Sequence, residues 1–207
     1  MKQAEKMMNQ SKLSESPSSR SRAVQAIINT LYEKNPREEL HSRRVSDLAV
    51  RLGKAYGLKS KELAELRTVG LLHDIGKIAI DESILNKEGP LNADEWEAVK
   101  RHPETGWRIL GAAGEFGELA TYVLTHHERI DGKGYPRGLS GEDIPLQARI
   151  IAVVDAYDAM TAERPYRAIM GNQAAAKELK KWAGTQFDAQ LAQLFVEQIL
   201  QLSWDEL

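Results

Sequence analysis

Residues 63–77 read Leu-Ala-Glu-Leu-Arg-Thr-Val-Gly-Leu-Leu-His-Asp-Ile-Gly-Lys, and the rest of the chain is read outward from them. Leu63, Leu66, Gly70 and His73 recur at the three- and four-residue steps that share one helix face. Between Val69 and Ile75 the only polar side chains are His73 and Asp74, so an imidazole and a carboxylate sit among residues destined for the core. An isolated buried carboxylate costs several kcal/mol, so Asp74 requires a partner.

The same periodicity predicts helices on both sides of this stretch. They cover 22–33, with Val24, Ile27, Ile28 and Leu31 on one face, then the segment after Pro36 to about Tyr56, then about Lys61 to Ile75. Asn92 followed three residues later by Glu95 is a capping pair that opens a helix over 93–101, with Pro103 in the turn after it. Further helices fit 105–112, 116–127, 146–162, 173–182 and 189–202. The exception is the loop 131–144, with glycines at 132, 134, 138 and 141. No run of β-branched alternation reads as a strand. The expected fold is all-α, a helical bundle with one glycine-rich loop. Residues 1–20 are a polar, Ser-rich lead and read as a linker or the tail of an upstream domain, with the folded domain over 21–207.

Composition narrows the function. The 207 residues carry 28 basic and 30 acidic side chains, a balance that gives no footprint for DNA, RNA or a membrane surface. There is no cysteine, which excludes a disulfide framework, thiolate ligands and a cysteine nucleophile. No apolar run approaches the ~20 residues of a spanning helix, and the polar opening lacks the apolar centre of a signal peptide. The expectation is a cytoplasmic protein whose metal ligands, if any, are His and carboxylate.

The chain has five histidines, and each falls on or beside an apolar helix face: His41 with Val45, Leu48 and Leu52, then His73, His102 after Trp96 and Val99, and His126-His127 after Leu119 and Val123. Asp155 interrupts the run Ile150-Ile151-Ala152-Val153-Val154. Taken singly, each histidine reads as a satisfied core residue. Together with two carboxylates lacking a basic partner on their own buried faces, they read as a divalent-cation site. Adjacent helical residues diverge by ~100°, so His73-Asp74 and His126-His127 would serve two neighbouring ions rather than chelate one. No H-E-x-x-H, EF-hand, P-loop, dinucleotide or G-x-S-x-G pattern is present.

These residues occur in an order that resembles the HD-GYP branch of the HD phosphohydrolase superfamily. The elements are His41-Ser42-x-x-Val45, Leu72-His73-Asp74-Ile75-Gly76-Lys77, His102-Pro103-x-x-Gly106, His126-His127-Glu128 leading into Asp131-Gly132-Lys133-Gly134-Tyr135-Pro136, Val154-Asp155-Ala156-Tyr157-Asp158-Ala159-Met160-Thr161 and Arg164-Pro165-Tyr166-Arg167. The resemblance covers roughly 37–200. It implies an HD-domain helical bundle that hydrolyses cyclic di-GMP to pGpG, GMP or both, with a cluster of iron or manganese ions. It implies metal ligands at His41, His73, Asp74 and Asp155, with Asp74 bridging, and at His102, His126 and His127. It implies that Lys77 contacts the scissile phosphate, that Arg164 and Arg167 hold substrate phosphate, and that Tyr135 shapes the substrate site.

One position departs from the pattern. Members with three ions resemble one another in a Glu four residues before the first histidine, where this chain has Arg37. A cation on that face repels an ion, so the expectation is two divalent ions, Fe or Mn, although Glu38, three residues before His41, can reach the same region and support a third. Asp158 reads as a hydrogen-bonding group rather than a ligand, and Trp96, Trp107 and Trp182 as core or interface residues. Ala4-Glu5-Lys6-Met7-Met8 through Lys12-Leu13 resembles the end of a GGDEF domain, which makes GGDEF-domain proteins candidate partners beside a homodimer.

Overall fold

The computed structural model describes residues 19–114, 116–162 and 169–207. Within them run α1 (Ser19–Lys34), α2 (Pro36–Tyr56), α3 (Ser60–Leu72), α4 (Glu82–Leu85), α5 (Ala93–Lys100), α6 (His102–Ala113), α7 (Gly117–Thr125), α8 (Leu146–Thr161), α9 (Asn172–Lys181) and α10 (Ala189–Leu194). Tight 3-10 turns lie at Ile75–Ala79 and Gly141–Asp143, and a wide π turn at Phe195–Ile199. No strand occurs among the described residues, only an isolated bridge between Ala183 and Phe187. The all-α expectation holds. No helix among them is long and apolar enough to cross a membrane.

The helix boundaries follow local chemistry. Pro36 opens α2, where a missing N–H costs nothing, and Glu38 and Glu39 face the positive end of the dipole. Gly57 closes α2 at φ 96°, donating to the Gly53 and Lys54 carbonyls. Asn92 and Glu95 form the expected reciprocal cap on α5. Pro103 is not in the turn before α6 but inside its first turn, where α6 starts at His102. The first N–H groups of a helix have no intrahelical acceptor, so proline fits there.

Two expected helices end early. The one expected to reach Ile75 stops at Leu72, and the chain tightens through His73 and Asp74 into the 3-10 turn. Gly76 explains this: a Cβ there would overlap the His102 carbonyl oxygen, so the turn lies directly on the start of α6. The helix expected to reach Leu202 gives way to the π turn after Leu194.

The core is drawn from nearly every helix. Val45 and Leu52 of α2, Leu66 and Val69 of α3, Leu110 of α6, Val123 of α7 and Leu179 of α9 are fully buried. So are Ile150, Ile151, Val153 and Val154, which makes α8 the central helix, packed against α2, α3, α7 and α9. Burying four aliphatic side chains of one helix contributes on the order of 1.5–3 kcal/mol each before entropy is counted. The polar residues at the inner ends of these helices are thereby fixed in place.

Candidate metal centre

His41 on α2, His73 and Asp74 after α3, His102 at the start of α6, His126 and His127 after α7, and Asp155 on α8 all meet at one point, with His73, Asp74, His102 and His126 buried and the other three half-buried. Their ligand atoms fall into two groups, each within 4.8 Å of one another: Asp74, His102, His126 and His127 in one, His41, His73 and Asp155 in the other.

The backbone sets which ring nitrogen faces inward. Nδ1 of His73 lies 2.9 Å from the Gly70 carbonyl, Nδ1 of His102 2.7 Å from that of Val99, and Nδ1 of His126 2.6 Å from that of Val123. In each case the carbonyl belongs to the residue three earlier, an acceptor available at a helix end. Nδ1 of His41 instead lies 2.7 Å from Asp158 Oδ2. Asp158 is buried and is held in turn by Arg44, at 2.5 Å from Nε and 2.9 Å from the terminal nitrogen. With each Nδ1 donating, the Nε2 of each ring in its neutral form carries a lone pair. His41 Nε2 and His73 Nε2 then face each other at 3.3 Å, and His102 Nε2 and His126 Nε2 at 3.4 Å. Facing lone pairs repel unless a proton or a cation stands between them. This donor set, four imidazoles tied down from behind plus two carboxylates, fits a divalent metal ion.

Asp74 relates the two groups. Its Oδ1 lies 3.1 Å from His102 Nε2, and its Oδ2 lies 3.1 Å from His73 Nε2 and 3.6 Å from His41 Nε2. Asp155 Oδ1 is 3.2 Å from His41 Nε2.

The two groups differ in charge. Burial opposes a proton on His41, but the hydrogen bonds of Asp155, Asp158 and Asp74 outweigh it and raise its pKa to about 12. Burial lowers His127 to about 3, with the neighbouring imidazole of His102 adding to the effect. Burial with His127, His73 and His102 likewise pushes His126 well below the usual imidazole range. Burial raises Asp74 and Asp155, but His73 and Lys77 beside the first and His41 beside the second hold both below the usual carboxylate range. At neutral pH His126 and His127 are ready as neutral ligands. His41 carries a proton that a cation would displace.

Lys77 Nζ is 2.7 Å from Asp74 Oδ2 and 3.1 Å from both Glu38 oxygens, so it bridges the centre to α2. Arg37 points to solvent, and Glu38, beside it in sequence, is engaged by Lys77. The glycine loop is pinned from below by Glu128. This buried carboxylate accepts from the backbone N–H groups of Arg137 at 2.6 Å and Leu139 at 3.1 Å. Tyr135 in that loop donates its backbone N–H to the His127 carbonyl at 3.3 Å, and its ring lies 4.9 Å from the His127 ring, tilted 31°. Trp96, from α5, meets Tyr135 edge to face at 6.4 Å and 78°. Trp96, Trp107 and Trp182 are 46%, 40% and 38% exposed, so none is a core residue. Arg164, Tyr166 and Arg167 lie outside the described residues.

Sequence reasoning did not single out Arg44, Glu128 as a loop anchor, or the pairing of Glu38 with Lys77. Arg44 had a signal, since three residues after His41 is the same helix face. Glu38 and Lys77 are far apart in sequence and had none.

The chain is similar to known proteins. The chain is 42% identical over 161 residues to a cyclic di-GMP phosphodiesterase of Pseudomonas aeruginosa, covering 77% of this chain and 39% of that protein. It is 36% identical over 185 residues to a 3′3′-cGAMP-specific phosphodiesterase of Vibrio cholerae, covering 88% of this chain and 34% of that one. The chain thus spans little more than a third of the length of these relatives. Among solved structures, an HDG"Y"P protein of Bdellovibrio bacteriovorus superposes with a TM-score of 0.64 at 24% identity, over 79% of this chain and 52% of that one, a likeness of fold. The family model of the HD domain matches residues 25–191. The chain therefore belongs to the HD domain family, and with His73-Asp74 and Gly134-Tyr135-Pro136 in place it belongs to the HD-GYP branch of that family.

Proposed function

We propose that this chain is the catalytic unit of a metal-dependent phosphodiesterase that hydrolyses cyclic di-GMP to pGpG, GMP or both. The observation that carries the reading is Asp74, which offers one carboxylate oxygen to each of two His/Asp groups. The relatives named cyclic di-GMP phosphodiesterases support the substrate class.

The ligands in this reading are His41, His73, Asp74 and Asp155 of the HD site together with His102, His126 and His127. They hold two ions, iron or manganese. Two neighbouring divalent ions, when bound, supply Lewis acidity and a water acidic enough to attack a phosphodiester near neutral pH. The protein's own groups do the rest. Lys77, free to leave Asp74 for an anion, places an ammonium where negative charge grows on the phosphoryl oxygens. Arg164 and Arg167 add bidentate contacts to a phosphate. Glu38 keeps Lys77 at the site and is not spent on a third ion. Residues 1–20 are a linker or the tail of an upstream domain, and 21–207 form the phosphohydrolase domain. The setting is cytoplasmic, and GGDEF-domain proteins or a second copy of the chain are the partners.

The second reading keeps the chemistry and changes the substrate to 3′3′-cGAMP, supported by the relatives bearing that name. Anaerobic purification, metal counting and side-by-side turnover of both cyclic dinucleotides test all of this. The expected result is two ions per chain, preferred turnover of cyclic di-GMP, and no turnover by His73→Ala or Asp74→Ala. A steady three ions rejects the two-ion reading. Faster hydrolysis of 3′3′-cGAMP selects the second substrate. Absence of any turnover leaves a docking module.

A further inference from the structure

We propose that Trp96 and Tyr135 form a stacking corner for one nucleobase of the cyclic dinucleotide, a deepening that rests on the phosphodiesterase reading above. Three rings lead outward from the metal centre. His127 belongs to the ligand group of Asp74, Tyr135 lies against it at 4.9 Å, and Trp96 stands against Tyr135 at 6.4 Å with the planes 78° apart. Two aromatic walls near a right angle make a corner in which a flat heterocycle can lie face-on to one and edge-on to the other, the two arrangements aromatic pairs prefer. Trp96 is 46% exposed, so its surface is free for a ligand.

The placement suits a base joined through one sugar to a phosphate at the ions. Tyr135 is fixed by its own N–H to the His127 carbonyl and by the loop that Glu128 anchors. α5, which carries Trp96, is fixed at its start by the Asn92–Glu95 cap. Stacking reads the π face that every base shares, so this corner contributes affinity without choosing guanine over adenine.

The test uses the metal-loaded chain with Trp96→Phe and Trp96→Ala, read by metal content, steady-state kinetics and quenching of tryptophan fluorescence by cyclic di-GMP. Trp96→Ala is expected to raise KM on the order of tenfold for cyclic di-GMP and 3′3′-cGAMP alike, with kcat and metal content little changed. Trp96→Phe is expected to keep KM near wild type while abolishing the quench, because the quenched ring is gone. An unchanged KM in Trp96→Ala, or a full quench in Trp96→Phe, overturns the corner. If Trp96→Ala fails to fold, the quench in Trp96→Phe decides alone. A wild-type chain that quenches but does not turn over supports the corner and sinks the phosphodiesterase reading. One that turns over without quenching does the reverse.

Discussion

Asp158 touches no ligand group but His41, and that single contact at 2.7 Å sets which nitrogen of His41 faces the centre. Arg44 holds it in turn, so a chain of two side chains orients one ligand. Outer partners of this kind typically govern metal affinity by 10–100-fold. Asp158→Ala is therefore expected to weaken metal binding by about that factor while the fold persists, as measured by competition with a chelator; unchanged affinity would show that packing alone orients His41. The five histidines were legible in the sequence because a buried imidazole is rare enough to stand out against apolar neighbours. The Glu38–Lys77 pair was not, because α2 and the turn after α3 meet only through tertiary packing.

The ligands sit at helix ends more than on helix faces. His73 caps α3, His102 begins α6 and His126 caps α7. Periodicity gave the helices and their buried stripes, but not these ends. It runs on through Ile75, whereas the chain turns because Gly76 must lie against the His102 carbonyl. Gly76→Ala forces the turn and α6 apart, and overpacking of this kind costs roughly 1–3 kcal/mol. The expected result is a lower urea midpoint and weaker metal binding together, since the two ligand groups meet across that contact. The glycine loop makes a second case. Glu128→Ala strips the acceptor from the Arg137 and Leu139 N–H groups, a loss of about 1–3 kcal/mol if they stay dry. Amide exchange at those two positions should speed up while exchange in α8 stays as it was. Protection left intact at both would show that the loop holds its shape without Glu128.

For the whole molecule, the charge states make opposite demands on either side of neutrality. His127, lowered to about 3 by burial, binds its proton more readily when unfolded, so its contribution is present above the unfolded value of about 6.5 and is lost as pH falls towards 3. His41, raised to about 12, contributes fully below 6.5 and loses that contribution as pH climbs towards 12. In chelator-treated protein the melting temperature is expected to peak near pH 6.5 and to fall on both sides, read by circular dichroism across a buffer series. A curve rising steadily to pH 9 would contradict the charge assigned to His41. Added Mn(II) or Fe(II) should raise the melting temperature further, in proportion to the logarithm of the metal concentration above its Kd. The all-α class and the convergence of the histidines were legible at this scale; the split into two ligand groups was only half so, since divergent neighbours on a helix imply two sites without saying which segments share one.

A centre that gathers His41 and Asp155 ties together parts of the chain separated by more than half its length. In a sequence without cysteine, a bound ion is the one available cross-link, and closing so long a loop removes much of the freedom of the unfolded chain. Starving such a protein of its divalent metal would thus loosen it as reduction loosens a disulfide-bonded domain, and a protease added to the purified chain would register the shortage before any assay of turnover did.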